Sequence, residues 1–261
     1  MPPLTDGSAA LVTGGAVRLG RAIALSLADA GHDIALHYNR SEAEAHATAA
    51  EIRERGVNCE VFRCDLGNAG SVEPLIVDAS AAFANLGVLV NSASIYESGT
   101  ISQTSEEQLD RMWAVNFKAP FFLMKAFRQR VGRGSIVNVL DNKIAFNQYH
   151  YAAYLSSRKA LADLTKMAAL EFAPGIRVNA VAPGVIMPAA TRTEEYLRWR
   201  RQAIPVSEIG HSSHVCEAVG YLLTNQFLTG QILFVDGGEA IDVVGRNATT
   251  FHAATNTQGV N

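Results

Sequence analysis

The chain has 261 residues, 48% hydrophobic and 18% charged, with 21 Gly and 8 Pro, a balance that supports a large buried core and excludes disorder and collagen-like repeats. Its 22 Lys and Arg against 25 Asp and Glu leave a formal charge of −3, without the basic footprint of a nucleic-acid binder. No apolar run reaches membrane-spanning length, and the first residues lack the basic region followed by a long apolar one that a secretory leader would show; Cys59, Cys64 and Cys216 have neither metal-ligand spacing nor a disulfide pattern, so a reducing cytoplasm is expected.

Short apolar runs at 9–13, 33–38, 58–62, 88–90, 135–139, 177–181 and 231–235 read as buried strands. Helical periodicity fills 19–30, 41–55, 72–84, 105–130 and 149–172 between them. Strand–helix alternation of this kind predicts an α/β fold: a seven-stranded parallel sheet with helices on both faces, in a single doubly wound Rossmann-type domain over 1–244. The remainder, 245–261, has no apolar period and reads as a loose tail, or alternatively as an arm reaching a neighbouring subunit. Two helical segments are apolar on more than one face, through Trp113, Val115, Phe117, Phe121, Phe122 and Met124, and through Leu161, Leu164, Met167, Ala168 and Leu170. A symmetric homo-oligomer, with a tetramer as the expected form, covers such faces. The alternative is that one of them packs under the segment 194–202.

The first strand runs into Thr13-Gly14-Gly15-Ala16-Val17-Arg18-Leu19-Gly20 and then a helix. Glycines at that turn let the backbone approach a pyrophosphate, which rests on the helix N-terminus and its dipole. The second strand ends in His37-Tyr38-Asn39-Arg40-Ser41. An acidic residue there would bind both ribose hydroxyls of NAD and repel a 2′-phosphate; Arg40 and Arg18 instead offer planar cations suited to that phosphate. NADPH is therefore the expected cofactor. Ser41-Glu42-Ala43-Glu44 also fits a helix capping box, which is compatible with anion binding.

Tyr154 and Arg158 are four residues apart on one predicted helix, roughly 40° apart around its axis, so both face one way. A cation beside a tyrosine lowers its pKa and equips it to exchange a proton. Asp141 stands where the fifth strand ends, and residues at the carboxyl ends of parallel strands reach the ligand crevice. A serine there would donate to a developing alkoxide, whereas an ionised aspartate accepts only. Asp141 therefore favours reduction of a C=N bond, whose nitrogen takes up a proton that an Asp–Tyr pair can relay from water. His211 and His214, three apart with no acidic or cysteine partners, read as helix-start residues rather than metal ligands, and no metal site is expected.

From Thr13 to Gly238 the chain resembles the short-chain dehydrogenases/reductases. The matching marks are the Thr-Gly loop, Cys64-Asp65-Leu66, Asn91-Ser92-Ala93, Asn116, the Tyr154 helix, Pro183-Gly184 and Val235-Asp236-Gly237-Gly238. Within that family it is similar to the pteridine reductases, through Arg18 in the glycine loop, the His37 to Ser41 turn, Ser94 followed by Tyr96, and Asp141. The resemblance implies NADPH-dependent reduction of a pterin, with catalytic roles for Asp141, Tyr154, Arg158 and Asn116. It also implies cofactor contacts from Gly14, Arg18, Leu19, Gly20, the 37–41 turn, Asp65, Leu66, Asn91, Ser92, Ala93, Tyr154, Arg158, Pro183, Gly184 and Ile186. Ser94, Tyr96, Asp141 and Tyr154 would meet the substrate, with the pterin stacked between nicotinamide and Tyr96.

Two positions depart from the family pattern. Arg158 replaces a lysine, and Lys159 cannot stand in because it lies roughly 140° around the helix from Tyr154. Ser92 replaces an asparagine. Residues 185–205 are long for a connection and are expected to form a mobile substrate cover. Met187, Tyr196 and Trp199 would line the pocket, and Arg198, Arg200 and Arg201 a solvated face. Two other readings fit the same residues: a carbonyl reductase of this fold, or an NADP(H)-binding sensor whose turnover is impaired by Arg158.

Overall fold

The chain alternates strand and helix nearly throughout, because each short apolar run is followed by a segment whose apolar residues recur at helical spacing. The computed structural model describes residues 7–188, 192–242 and Phe251. In order these are β1 (Ala9–Val12), α1 (Arg18–Asp29), β2 (Ile34–Tyr38), α2 (Glu42–Arg53), β3 (Cys59–Arg63), α3 (Ala69–Ala82), β4 (Leu86–Asn91) and α4 (Glu106–Trp113). They continue with α5 (Ala119–Arg130), β5 (Gly134–Val139), α6 (Ala152–Phe172), β6 (Ile176–Pro183), α7 (Glu194–Arg201), α8 (Ser212–Thr224) and β7 (Ile232–Val235). All seven strands pair in parallel, in the order β3-β2-β1-β4-β5-β6-β7. The expected doubly wound sheet is present, with every strand limit within two residues of that read from the sequence.

Every residue of β1, β2, β4, β5 and β6 is buried, as a parallel sheet covered on both faces requires. Leu75, Leu123, Phe127, Leu161 and Phe172 pack α3, α5 and α6 on one face. Ile23, Leu27, Ile52, Val215 and Leu222 pack α1, α2 and α8 on the other. Each such side chain contributes about 2 kcal/mol of burial. The chain crosses from β3 back over the sheet to β4, which lies against β1. This reversal of winding opens a crevice at the carboxyl ends of β1 and β4.

Two local expectations need correction. The segment 105–130 is two helices joined by one π-helical turn, Ala114–Lys118, which inserts an extra residue into the 3.6-residue period. Ser41 does sit at the N-cap of α2, but its side chain makes no capping bond. Of the two apolar helical segments, Phe117, Phe122 and Leu164 rest against the core, while Met167 and Leu170 on α6 and Phe121 on α5 stay exposed. Apart from Phe251, the 245–261 tail lies outside the described residues. Phe251 packs its ring 5.5 Å from Tyr196 and 5.4 Å from Trp199, both on α7.

Candidate active site

A cleft of about 620 Å³ opens where β1, β4, β5 and β6 end. Gly14, Arg18, Leu19, Gly20, His37, Asn39, Asp65 and Leu66 line one end; Ser92, Ala93, Ser94, Tyr96, Asp141, Tyr154, Arg158, Pro183, Gly184 and Ile186 line the rest. A second hollow of about 660 Å³ shares Gly14, Asn39 and Asp65 with it and adds Tyr38, Arg40 and Ser41. The sequence-predicted residues thus converge on one continuous surface, with two exceptions: Asn91 and Asn116 are buried beneath it.

The glycine loop is built to lie close. Gly14 has a φ of +65°, and a Cβ on it would stand 3.0 Å from the Cα of Ala93. A Cβ on Gly20 would come within 2.1 Å of the Gly14 carbonyl. Thr13 ties the loop to the end of β4 by accepting from the Ser92 and Ala93 N–H groups at 3.0 and 3.1 Å. His37 braces it from β2: the Gly14 N–H donates to Nδ1 at 3.0 Å, and Nε2 donates to the Cys64 carbonyl at 3.0 Å. Burial holds the ring neutral by pushing its pKa down to about 4. Val17 gives α1 no side-chain cap, so the first-turn N–H groups remain donors for an anion in the cleft. These features fit the pyrophosphate of a dinucleotide. Arg18, at a φ of +52°, donates through Nη2 to the Met187 carbonyl at 2.5 Å, across the cleft mouth.

At the other end, the Tyr154 hydroxyl donates to Asp141 Oδ2 at 2.9 Å, and Asp141 Oδ1 accepts from the Lys143 N–H at 2.8 Å. The guanidinium carbon of Arg158 lies 5.5 Å from the centre of the Tyr154 ring, and Nη1 donates to the Val139 carbonyl at 3.3 Å. The lowered tyrosine pKa expected from that cation does not result. Burial raises it first, the Asp141 charge raises it further, and Arg158 only partly opposes them. Tyr154 is therefore a phenol that keeps its proton through the neutral range.

Asn116 acts on backbone rather than in the cleft. Its Oδ1 accepts from the Ile95 N–H at 3.0 Å and its Nδ2 donates to the Ile95 carbonyl at 2.9 Å, fixing the segment that carries Ser94 and Tyr96. Asn91 donates to Asn138 Oδ1 at 2.8 Å and joins β4 to β5. The half-exposed Tyr96 ring stacks on Tyr151 at 4.7 Å and meets Tyr154 edge-on at 4.7 Å. Sequence reasoning missed Tyr151, which stands at the N-cap of α6, three residues before Tyr154.

Of the cover residues, Met187 and Tyr196 line the cleft and Trp199 does not. Arg200 is no part of a solvated face: it is 2% exposed and bonds Glu239. His211 and His214 cap α8 together, since the Ser213 N–H donates to His211 Nδ1 at 3.3 Å and the His211 N–H donates to His214 Nδ1 at 3.2 Å.

Known proteins share this architecture. A family model described as enoyl-(acyl carrier protein) reductase matches residues 15–239. The 3-oxoacyl-(acyl-carrier-protein) reductase FabG of Staphylococcus aureus is 33% identical over 237 residues, 88% of this chain and 96% of that one. A short-chain type dehydrogenase/reductase of Picea abies is 30% identical over 250 residues, 89% of this chain and 92% of that one. Among solved structures, FolM alternative dihydrofolate reductase 1 from Brucella suis in complex with NADP aligns with a TM-score of 0.83 at 32% identity, covering 90% of this chain and 95% of that one. With its parallel sheet, its glycine loop and the Tyr154 helix, the chain belongs to the short-chain dehydrogenase/reductase family of oxidoreductases.

Proposed function

We propose that the protein is an NADPH-dependent reductase of a pterin or a similar C=N heterocycle. The observation that carries this reading is the 2.9 Å bond from Tyr154 to Asp141. A carbonyl reductase is served at position 141 by a hydroxyl donor, and a carboxylate there opposes the oxyanion that ketone reduction builds. Reduction of a ring C=N bond leaves a nitrogen that takes up a proton instead. Tyr154, protonated through the neutral range, holds that proton, and Asp141 is placed to hand the phenol a replacement from solvent. The likeness to an alternative dihydrofolate reductase supports the same substrate class.

The cofactor would be held by the glycine loop and the α1 N-terminus at its pyrophosphate, and by Arg40 and Ser41 at a 2′-phosphate. When bound, NADPH supplies the hydride. Arg158 lines the cleft and donates to the Val139 carbonyl. It orients and neutralises, and it relays no proton. The exposed Phe121, Met167 and Leu170 would be covered in a homo-oligomer, with a tetramer as the expected form. The free cysteines suit a reducing cytoplasm.

The FabG relatives favour a second reading, reduction of a carbonyl. NADPH oxidation with dihydrobiopterin, folate-type pterins and a panel of ketones separates the two. The pterin reading expects turnover of pterins, and a loss of about tenfold or more in Asp141→Ser. Turnover of ketones alone, improved by Asp141→Ser, would sink it. Tight NADPH binding without turnover, restored by Arg158→Lys, would mark the native chain as a cofactor-binding protein.

A further inference from the structure

A set of charged side chains is buried together behind the substrate end of the cleft. Arg200 on α7 is 2% exposed, and its Nη2 donates to Glu239 Oε1 at 2.6 Å. Glu239, in the turn after β7, is 1% exposed. Its Oε2 accepts from Asn142 Nδ2 at 2.9 Å, and the same amide lies 3.2 Å from Asp236 Oδ2. The buried Lys143 ammonium feels this group as well. Burial and then Arg200 push it down to about 8, against the pull of Asp141 and Glu239.

Stability alone does not account for this arrangement. Burying two charges costs several kcal/mol each, and their attraction repays that only when every remaining donor and acceptor is satisfied. Here Arg200 Nε and Nη1 are buried and without an acceptor among the described residues. Apolar side chains of similar volume would hold the fold about as well. What the ion pair provides is a fixed geometry between three pieces of chain.

Two of those pieces border the cleft. Asn142 directly follows Asp141, and the turn Asn142–Ala145 begins there. Arg200 stands four residues beyond Tyr196, on the same side of α7, and Tyr196 lines the cleft. One carboxylate therefore grips both the loop that carries Asp141 and the helix that covers it. We propose that Glu239 is a positioning residue whose carboxylate fastens the cover helix α7 to the Asp141 loop, so that the floor and roof of the substrate end are assembled as one unit. The inference rests on Asp141 being the partner of Tyr154 in the reaction proposed above.

Hydrogen exchange on the full-length protein tests the coupling without any substrate. Arg200→Met/Glu239→Met replaces the pair with apolar side chains and should remain folded. We expect about tenfold faster exchange both in α7, at the Leu197 amide, and in the Asp141 loop, at the Ile144 and Phe146 amides, with α1 and α3 unchanged. A folded variant in which either segment keeps its native protection overturns the proposal. If the double variant does not fold, Glu239→Gln, which keeps the shape and loses the charge, reads the same amides. A kinetic arm then looks for a fall of about tenfold in pterin kcat with NADPH affinity within about twofold of native. Parallel loss of NADPH binding would mean general loosening and overturn the positioning role. If the native protein turns over no pterin, the functional reading fails, and the exchange result still decides the coupling.

Discussion

At the residue scale, His37 lies in the turn expected to contact the cofactor, yet both its ring nitrogens are used inside the protein. Nδ1 accepts from Gly14 and Nε2 donates to Cys64, a pattern that only the neutral ring satisfies. Burial pushes its pKa from the ordinary 6.5 down to about 4. The unfolded chain therefore takes up a proton before the folded one does. The stability this ring contributes is complete above pH 6.5 and drains away as the pH falls toward 4. Between about pH 7.5 and about pH 5 the native protein should lose about 2 kcal/mol more unfolding free energy than His37→Gln. Urea unfolding at the two pH values checks this, and equal losses in the two proteins would refute it. Tyr154 carries a related lesson. Its partnership with Arg158 was legible from a spacing of four, but the direction of its pKa was not. That direction depends first on burial, which is not written in a one-dimensional pattern, and then on the charge of Asp141, whose pairing with Tyr154 was read for proton relay and not weighed against Arg158.

At the scale of elements, the junction of β1 and α1 has the tightest tolerance in the candidate site. A methyl on Gly20 would meet the Gly14 carbonyl at 2.1 Å, and that contact is backbone, so the loop itself would have to move. Gly20→Ala should weaken NADPH binding by about 100-fold, or about 2.7 kcal/mol, because the N–H groups aimed at the pyrophosphate turn away together. Fluorescence titration with NADPH measures it, and an affinity within a few-fold of native would show that the loop yields cheaply. The glycine loop was readable because its chemistry is local. The extra residue at Ala114–Lys118 was not, since one inserted residue leaves the apolar spacing on either side intact. Asn116 lies in that π-helical turn and reaches Ile95. Arg200 was misread for a related reason. Three arginines in four residues look solvated until Glu239, 39 positions on, is known to face one of them.

At the scale of the whole molecule, the sheet was legible because buried parallel strands are short continuous apolar runs with helices between them, and a right-handed crossover rule leaves few ways to order them. The crevice then follows from topology, since β1 has β2 on one side and β4 on the other. The quaternary surface is harder to read, because a half-buried helix face looks the same whether core or partner covers it. Here Leu161 is wholly inside while Leu170 is 84% and Met167 63% exposed on the same helix. Two large apolar side chains left in water forfeit about 2 kcal/mol each relative to burial, which a second copy packed α6 to α6 would recover twice over by symmetry. Met167→Glu/Leu170→Glu places two unpaired charges on each side of such a contact. The variant should dissociate at protein concentrations at least about tenfold above those at which the native assembly holds. Light scattering coupled to size exclusion reads the mass directly. A native protein that elutes with the mass of one chain would remove the oligomer, and an unchanged mass in the variant would move the interface off α6.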